Sequence, residues 1–291
     1  MEADLWSKSE ITSNRIEIRN VFEKSYGEKI DAKKFRQIYE CNPFGETKAV
    51  ALKYDQKLVG YYGIVPQKLT LEADEKNEHK SYALGTSLMV LPQFRGMTAL
   101  SKIMEKVDNH LKGSDFEFLI GFPNEESFTP LSRLLGWKVI ISTRFFEYDL
   151  PNSTTPKKEV YEGYKDVKAS GWSVPYGDKK FIEWKGMCEN YKFARIERST
   201  VVVYKQLDNK RIDIVDVFGQ NNSVSPKECL KSIGHCEGKN KAIITGHHAE
   251  AIGLDRNKLS IFNNQNVRLC SPNKDTIPDN LSFSLLMSDV F

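Results

Sequence analysis

The chain is short of the residues that would announce a disulfide framework, a zinc site or a membrane span. Its five cysteines, Cys41, Cys188, Cys229, Cys236 and Cys270, are odd in number, scattered and without a CxxC pair, so they read as reduced thiols. No apolar run approaches the ~20 residues that cross a bilayer. The opening Met1-Glu2-Ala3-Asp4-Leu5-Trp6 lacks the basic and apolar regions of a signal peptide. A cytoplasmic protein without membrane insertion is expected. An excess of one charge is also missing: Lys plus Arg number 42 against 39 for Asp plus Glu, with no block of like charges, which argues against nucleic acid as a partner. His247 and His248 are adjacent and diverge in direction, with no third ligand spaced to join them, so no metal is expected. His110 is expected on the solvated side of its helix.

What is present is material for packed cores. Hydrophobic residues make up 40% and aromatics 11% of 291 residues, enough for one large domain or two. Ser13 to Tyr26 carries Ile18, Val21 and Phe22 at helical spacing and stops at Gly27, and a shorter helix is expected from Asp31 to Tyr39. Ala49–Tyr54 and Leu58–Leu71 read as a hairpin around Asp55-Gln56-Lys57, followed by a charged, exposed linker from Glu72 to Lys80. Ser81 to Leu91 is then a strand.

That strand leads into the stretch around which the chain is organised. After Pro92 it turns through Gln93-Phe94-Arg95-Gly96, and Met97, Leu100, Met104, Val107 and Leu111 then recur at helical intervals. A glycine at a strand-to-helix turn admits close approach to the backbone, and the first helical N–H groups are unpaired at the positive end of the dipole. Such a corner suits a phosphate, although it also reads as an ordinary turn. A second segment follows: a buried strand Phe116–Phe122, then Pro123-Asn124-Glu125-Glu126-Ser127-Phe128 opening a helix through Leu131, Leu134 and Leu135 that closes at Gly136-Trp137. By itself this is a helix capped by Asn124, with Glu125 and Glu126 favouring the dipole.

Together these segments resemble the GCN5-related N-acetyltransferase (GNAT) superfamily. Gln93-Phe94-Arg95-Gly96-Met97-Thr98 is similar to its acetyl-CoA signature of Arg or Gln, two residues, Gly, one residue, then Gly or Ala. Thr98 departs from that pattern, being bulkier than the usual small residue while adding a hydroxyl donor. The resemblance implies an α/β (α+β) GNAT fold with a mixed, mostly antiparallel sheet flanked by helices. It implies acetyl-CoA as acyl donor, held by Gln93, Phe94, Arg95, Gly96, Met97 and Thr98, by the backbone of Leu88, Met89 and Val90, and by Asn124 and Ser127. Arg95 is equally readable as an exposed turn residue. Many members place a tyrosine general acid just after that serine, where this chain has Phe128. Tyr61, Tyr62 and Tyr82, or solvent, remain as the proton source. Tyr61 and Tyr62 alternate on one strand, one expected in the core and the other towards the acceptor.

The polar connector Asp149 to Lys158 marks a boundary between a cofactor-binding domain, 1–150, and a second domain, 151–291. In the second, the order of elements returns in weaker form. Asp178–Trp184 echoes Asp31–Tyr39, Thr200–Lys205 echoes Ala49–Tyr54, Arg211–Phe218 is a strand, Pro226–Ile233 a helix, and Ala242–Gly246 matches Phe118–Gly121. The shorter spacing reads as a lost strand. Gly219 to Pro226 replaces the signature turn without a glycine at the phosphate position, so this half is expected to have lost CoA binding and to line the acceptor pocket. The expected activity is acetyl transfer to a primary amine of a small molecule, by resemblance an amino sugar or nucleotide-linked amino sugar of surface-polysaccharide synthesis, by a monomer or homodimer. Aminoglycosides, an aminoacyl or peptidyl transferase of related tandem fold, and a catalytically silent binding module are the alternatives.

Overall fold

In a computed structural model the described residues are 1–72, 77–150, 161–162, 169, 171–196, 200–219 and 226–288. The chain opens with a short strand β1 (Glu2–Trp6), then helices α1 (Lys8–Ser13), α2 (Arg15–Tyr26) and α3 (Ala32–Tyr39). The helix expected from Ser13 to Tyr26 forms as α2, and a separate α1 precedes it: Ser7 and Glu10 make a reciprocal capping box for α1, and the Asn14 side-chain amide donates to the Glu10 carbonyl (2.8 Å), ending it. Gly27, at φ 78°, closes α2, and Asp31 caps α3 through the amides of Lys33 and Lys34.

Strands β2 (Lys48–Tyr54) and β3 (Lys57–Glu72) form the expected hairpin, turning on Asp55 and Gln56, both with positive φ. The next strand, β4 (Asn77–Val90), starts earlier than its apolar pattern indicates, because backbone pairing with β3 extends to Glu72↔Asn77 through residues read as linker. A 3-10 turn (Pro92–Phe94) leads to α4 (Met97–Lys112), β5 (Phe118–Gly121), α5 (Glu125–Leu134) and β6 (Lys138–Asp149). His110, at the end of α4, is half-buried rather than fully on the solvated side, with its ring 6.4 Å from that of Phe116, and burial lowers its pKa.

Residues 151–158 of the expected connector lie outside the described residues. Beyond it come β7 (Tyr161–Glu162), α6 (Lys179–Lys185), β8 (Lys192–Ile196), β9 (Thr200–Gln206), β10 (Arg211–Gly219), α7 (Pro226–Glu237), β11 (Lys241–Thr245), α8 (Gly246–Ala251) and β12 (Ser260–Ser271). All twelve strands join one sheet in the order β1-β2-β3-β4-β5-β12-β6-β11-β10-β9-β8-β7. The β4–β5 and β10–β11 pairs are parallel and the others antiparallel, giving a mixed, mostly antiparallel sheet. Among the described residues β7, β8 and β9 are antiparallel before the parallel β10–β11 pair, as β1, β2 and β3 are before β4–β5, so the expected loss of a strand is not seen among them; β8 is five residues with little periodicity, and in sheet order β9 holds the place of β3 rather than β2. The order also exchanges partners at the centre, with β12 beside β5 and β6 beside β11. No helix among the described residues is long and apolar enough to cross a membrane.

The C-terminal segment closes the core. Phe283, Leu285, Leu286 and Met287 are buried beside β10, and Ser284 meets Tyr176, whose hydroxyl donates to Asp216. His248 is equally buried, its Nε2 lying 3.5 Å from Asp216 and 3.1 Å from the Phe283 carbonyl. Burial pushes Asp216 up to about 7 and His248 down to about 4. The raised carboxylate contributes stability at low pH that is lost as pH rises towards 7. The depressed histidine does the opposite: its penalty is full below about 4 and is lost as pH rises from 4 to about 6.5. The two slopes oppose each other between pH 4 and 6.5. Asp216→Asn removes the carboxylate's opposing slope, so between pH 4 and 6.5 the variant's unfolding free energy should rise relative to that of the wild type as pH increases, in denaturant titrations across that range.

Candidate functional site

The site begins where two strands part. The β4–β5 ladder runs from Tyr82↔Phe118 to Gly85↔Gly121 and ends there, while β4 continues to Val90 with β3 as its partner. Between Thr86↔Gly63 and Met89↔Tyr61, residues Ser87 and Leu88 oppose Tyr62 alone, a bulge with Ser87 at φ 53°. The Leu91 amide donates to the Val59 carbonyl (2.8 Å), so by alternation Met89 and Leu91 turn their main-chain groups to β3. Those of Leu88 and Val90 face the side that β5 has left. There the Leu88 carbonyl accepts from the Tyr26 hydroxyl (2.8 Å) and the Val90 carbonyl from Arg95 Nε (3.1 Å).

Glycines make the divergence close-packed. A Cβ on Gly85 would lie 1.7 Å from the Tyr62 hydroxyl, and one on Gly121 would lie 3.1 Å from the Trp137 ring. Tyr62 is buried, which raises its pKa, with Asp108 of α4 adding to the rise. Tyr61 is buried on the opposite face, edge-on to Tyr39 at 5.7 Å, and its hydroxyl has no hydrogen-bond partner among the described residues. The structure thus puts both in the core, rather than one towards an acceptor. Tyr82 is stacked on Phe118 at 5.3 Å. Of the three candidate tyrosines, Tyr62 alone brings its hydroxyl to the point of divergence.

The turn that follows is open. Gly96 stands at φ 150°, a region that favours glycine, and an added Cβ would meet nothing within 4 Å. No side chain caps α4, whose first intrahelical bond at this end is Leu100 N–H to the Gly96 carbonyl (3.2 Å). The amides of Met97, Thr98 and Ala99 precede it, at the positive end of a long helix. Gln93 is exposed, and Phe94 is half-buried with its ring 5.2 Å from that of Tyr54. Arg95 is not a free turn residue: besides Val90, it donates from Nη2 to the Ser25 carbonyl (3.0 Å) and lies 3.6 Å from Glu126.

Across the gap, Asn124 caps α5. Its Oδ1 accepts from the Ser127 amide (2.9 Å) and the Ser127 hydroxyl (2.8 Å), so the two side chains satisfy each other at the helix entrance. Glu125 is held by Asn266 (3.0 Å) and Arg268 (3.0 Å) of β12, which keep its carboxyl below the usual range, and the Arg268 guanidinium lies 4.3 Å over Phe128. Tyr26 and Arg268 went unnoticed in the sequence, and Glu126 was readable only as a partner of the helix dipole, because each reaches the site through tertiary packing.

No protein-family model matches this sequence, and no curated protein matches it. Solved structures do match its architecture. A GCN5-related N-acetyltransferase from Kribbella flavida superposes with a TM-score of 0.64 at 14% identity, covering 92% of this chain and 71% of that one. One from Anabaena variabilis gives 0.59 at 12%, covering 94% and 74%. A conserved protein of unknown function from Enterococcus faecalis V583 gives 0.65 at 13%, covering 96% and 75%. The chain has the GNAT fold.

The fit of Tyr62 against Gly85 gives a direct test of the divergence. Gly85→Ala should destabilise the fold by about 1–3 kcal/mol through overpacking. Gly113→Ala, whose added Cβ has its nearest neighbour at 3.9 Å, should be close to neutral in the same denaturant titration.

Proposed function

We propose that the protein is an acetyl-CoA-dependent N-acyltransferase acting on a primary amine of a small molecule. The observation that carries this reading is the junction of an open β4 edge at Ser87–Val90 with the uncapped entrance of α4 at Gly96. Diphosphate needs clustered N–H donors, little steric bulk and positive potential; Gly96 and the amides of Met97, Thr98 and Ala99 offer these together. The Thr98 hydroxyl adds a donor. An extended acyl arm needs a strand edge with main-chain groups to pair with, which Leu88 and Val90 provide. The donor supplies an activated acyl group. The chain's part is to align that group with the amine and stabilise developing charge with fixed dipoles, effects worth several kcal/mol each. For the acceptor, an amino sugar or nucleotide-linked amino sugar is the reading, and it rests on the resemblance of the sequence.

One observation favours a second reading, a silent binding module. The carbonyls of Leu88 and Val90 already accept from Tyr26 and Arg95, so an arm that pairs with them competes with both. Release of CoA thiol with amine substrates separates the two readings, since a module would bind without turnover.

Binding is tested by thermal shift. At a hundredfold excess over Kd, acetyl-CoA should stabilise the protein by about 2.7 kcal/mol. Gly96→Glu should abolish that gain by obstructing and repelling phosphate, while Asn190→Ala, exposed in the second half, should keep it. Equal gains in both variants would refute the site. Tyr26→Phe removes a competing hydrogen bond worth about 1 kcal/mol, and should tighten acetyl-CoA roughly fivefold in calorimetry.

A further inference from the structure

Among the described residues, three that are not glycine have positive φ: Asp55, Gln56 and Ser87. The first two form the β2–β3 turn, which requires that geometry. Ser87 has no turn to make, for it lies inside β4 at φ 53°, one residue past Thr86 and two past the last β4–β5 pair. A left-handed residue within a strand is held only when its surroundings over-determine it, and such residues gather at functional sites. What holds this one is visible. The Tyr39 hydroxyl donates to Ser87 Oγ at 2.7 Å, from a ring that is itself 1% exposed.

The ring is fixed on several sides. It packs against Phe35 at 4.8 Å and against the edge of Tyr61 at 5.7 Å, and it passes so close to Gly63 that a Cβ there would lie 2.8 Å from it. Because Ser87 Oγ accepts from Tyr39, its own proton is directed elsewhere, and no hydrogen bond among the described residues uses it. Ser87 is only half-buried. It therefore presents an oriented O–H donor at the apex of the bulge, at the end of the open edge away from Gly96.

We propose that Ser87 is a catalytic residue whose hydroxyl donates to the sulfur leaving group, with Tyr39 as its positioning residue. This rests on the acyl-transfer reading: with phosphate at Gly96 and the arm along Val90 and Leu88, the thioester end arrives at Ser87. In the transfer the amine nitrogen forms the C–N bond, the C–S bond breaks, and the sulfur leaves with the electron pair. The amine loses one proton and the thiolate gains one, so protons balance. The Ser87 O–H stabilises the charge on sulfur until it is protonated.

The test reads the thiol directly. CoA is bound to the full-length protein, and the thiol pKa is followed by thiolate ultraviolet absorbance against pH. In the wild type it should lie roughly one to two units below that of free CoA, the effect of one hydrogen bond to an ionised acceptor. Ser87→Gly removes the hydroxyl and also relieves the positive φ, so its melting temperature should hold or rise while the bound thiol returns to the free value. Tyr39→Phe should move the pKa part of the way. With any amine the wild type accepts, Ser87→Gly should lower kcat at least tenfold with KM unchanged. A thiol pKa equal in wild type and Ser87→Gly would overturn the proposal while leaving CoA binding intact. Failure of the wild type to bind CoA would instead overturn the acyl-transfer reading, and this proposal with it.

Discussion

The separation of β4 from β5 beyond Gly85↔Gly121 is the constraint on which the rest of the molecule depends. Two strands in a parallel ladder normally continue together, because each unpaired backbone group left in a core costs free energy. Here β5 stops, and β4 goes on alone beside β3 for five residues. The cost is reduced by side chains brought from elsewhere: Tyr26 and Arg95 take the carbonyls, and the bulge at Ser87 turns the edge. The room that Gly85 and Gly121 leave is filled by Tyr62 and Trp137, so the parting is packed rather than frayed.

The exchange of β6 and β12 supports that separation from the other side. Because β12 lies between β5 and β6, the two ends of the chain share one sheet, and neither the β5–β12 nor the β6–β11 ladder can be lost without opening its centre. β12 also carries Asn266 and Arg268, which grip Glu125 at the entrance of α5. Residues remote in sequence thus fix the far wall of the gap. The C-terminal segment adds Phe283, whose ring lies 6.4 Å from that of Phe122 just beyond β5.

Where local physics decides the structure, the sequence was legible. The apolar spacing of Met97, Leu100, Met104 and Val107, the cap at Asn124, the stop at Gly27 and the Asp55–Gln56 turn each rest on a few adjacent residues, and each has the form that reading gave it. The start of β4 was obscured because its first residues are charged and pair through the backbone alone. β8 was obscured because a five-residue strand carries little period. The strand exchange has no local signature at all. At the site, the Gly96 corner was readable, whereas Tyr26, Tyr39 and Glu126 arrive through helix packing. The resemblance of the 93–98 stretch therefore drew attention to this corner without indicating which side chains already occupy its edge.

The central claim, that the β4 edge and the α4 entrance form one binding surface, is tested most directly by amide hydrogen exchange with and without CoA. New protection is expected at Leu88, Val90 and Met97 to Ala99, with strand β10, 211–219, unchanged. Protection confined to 211–219, or none at either place under saturating CoA, would contradict it.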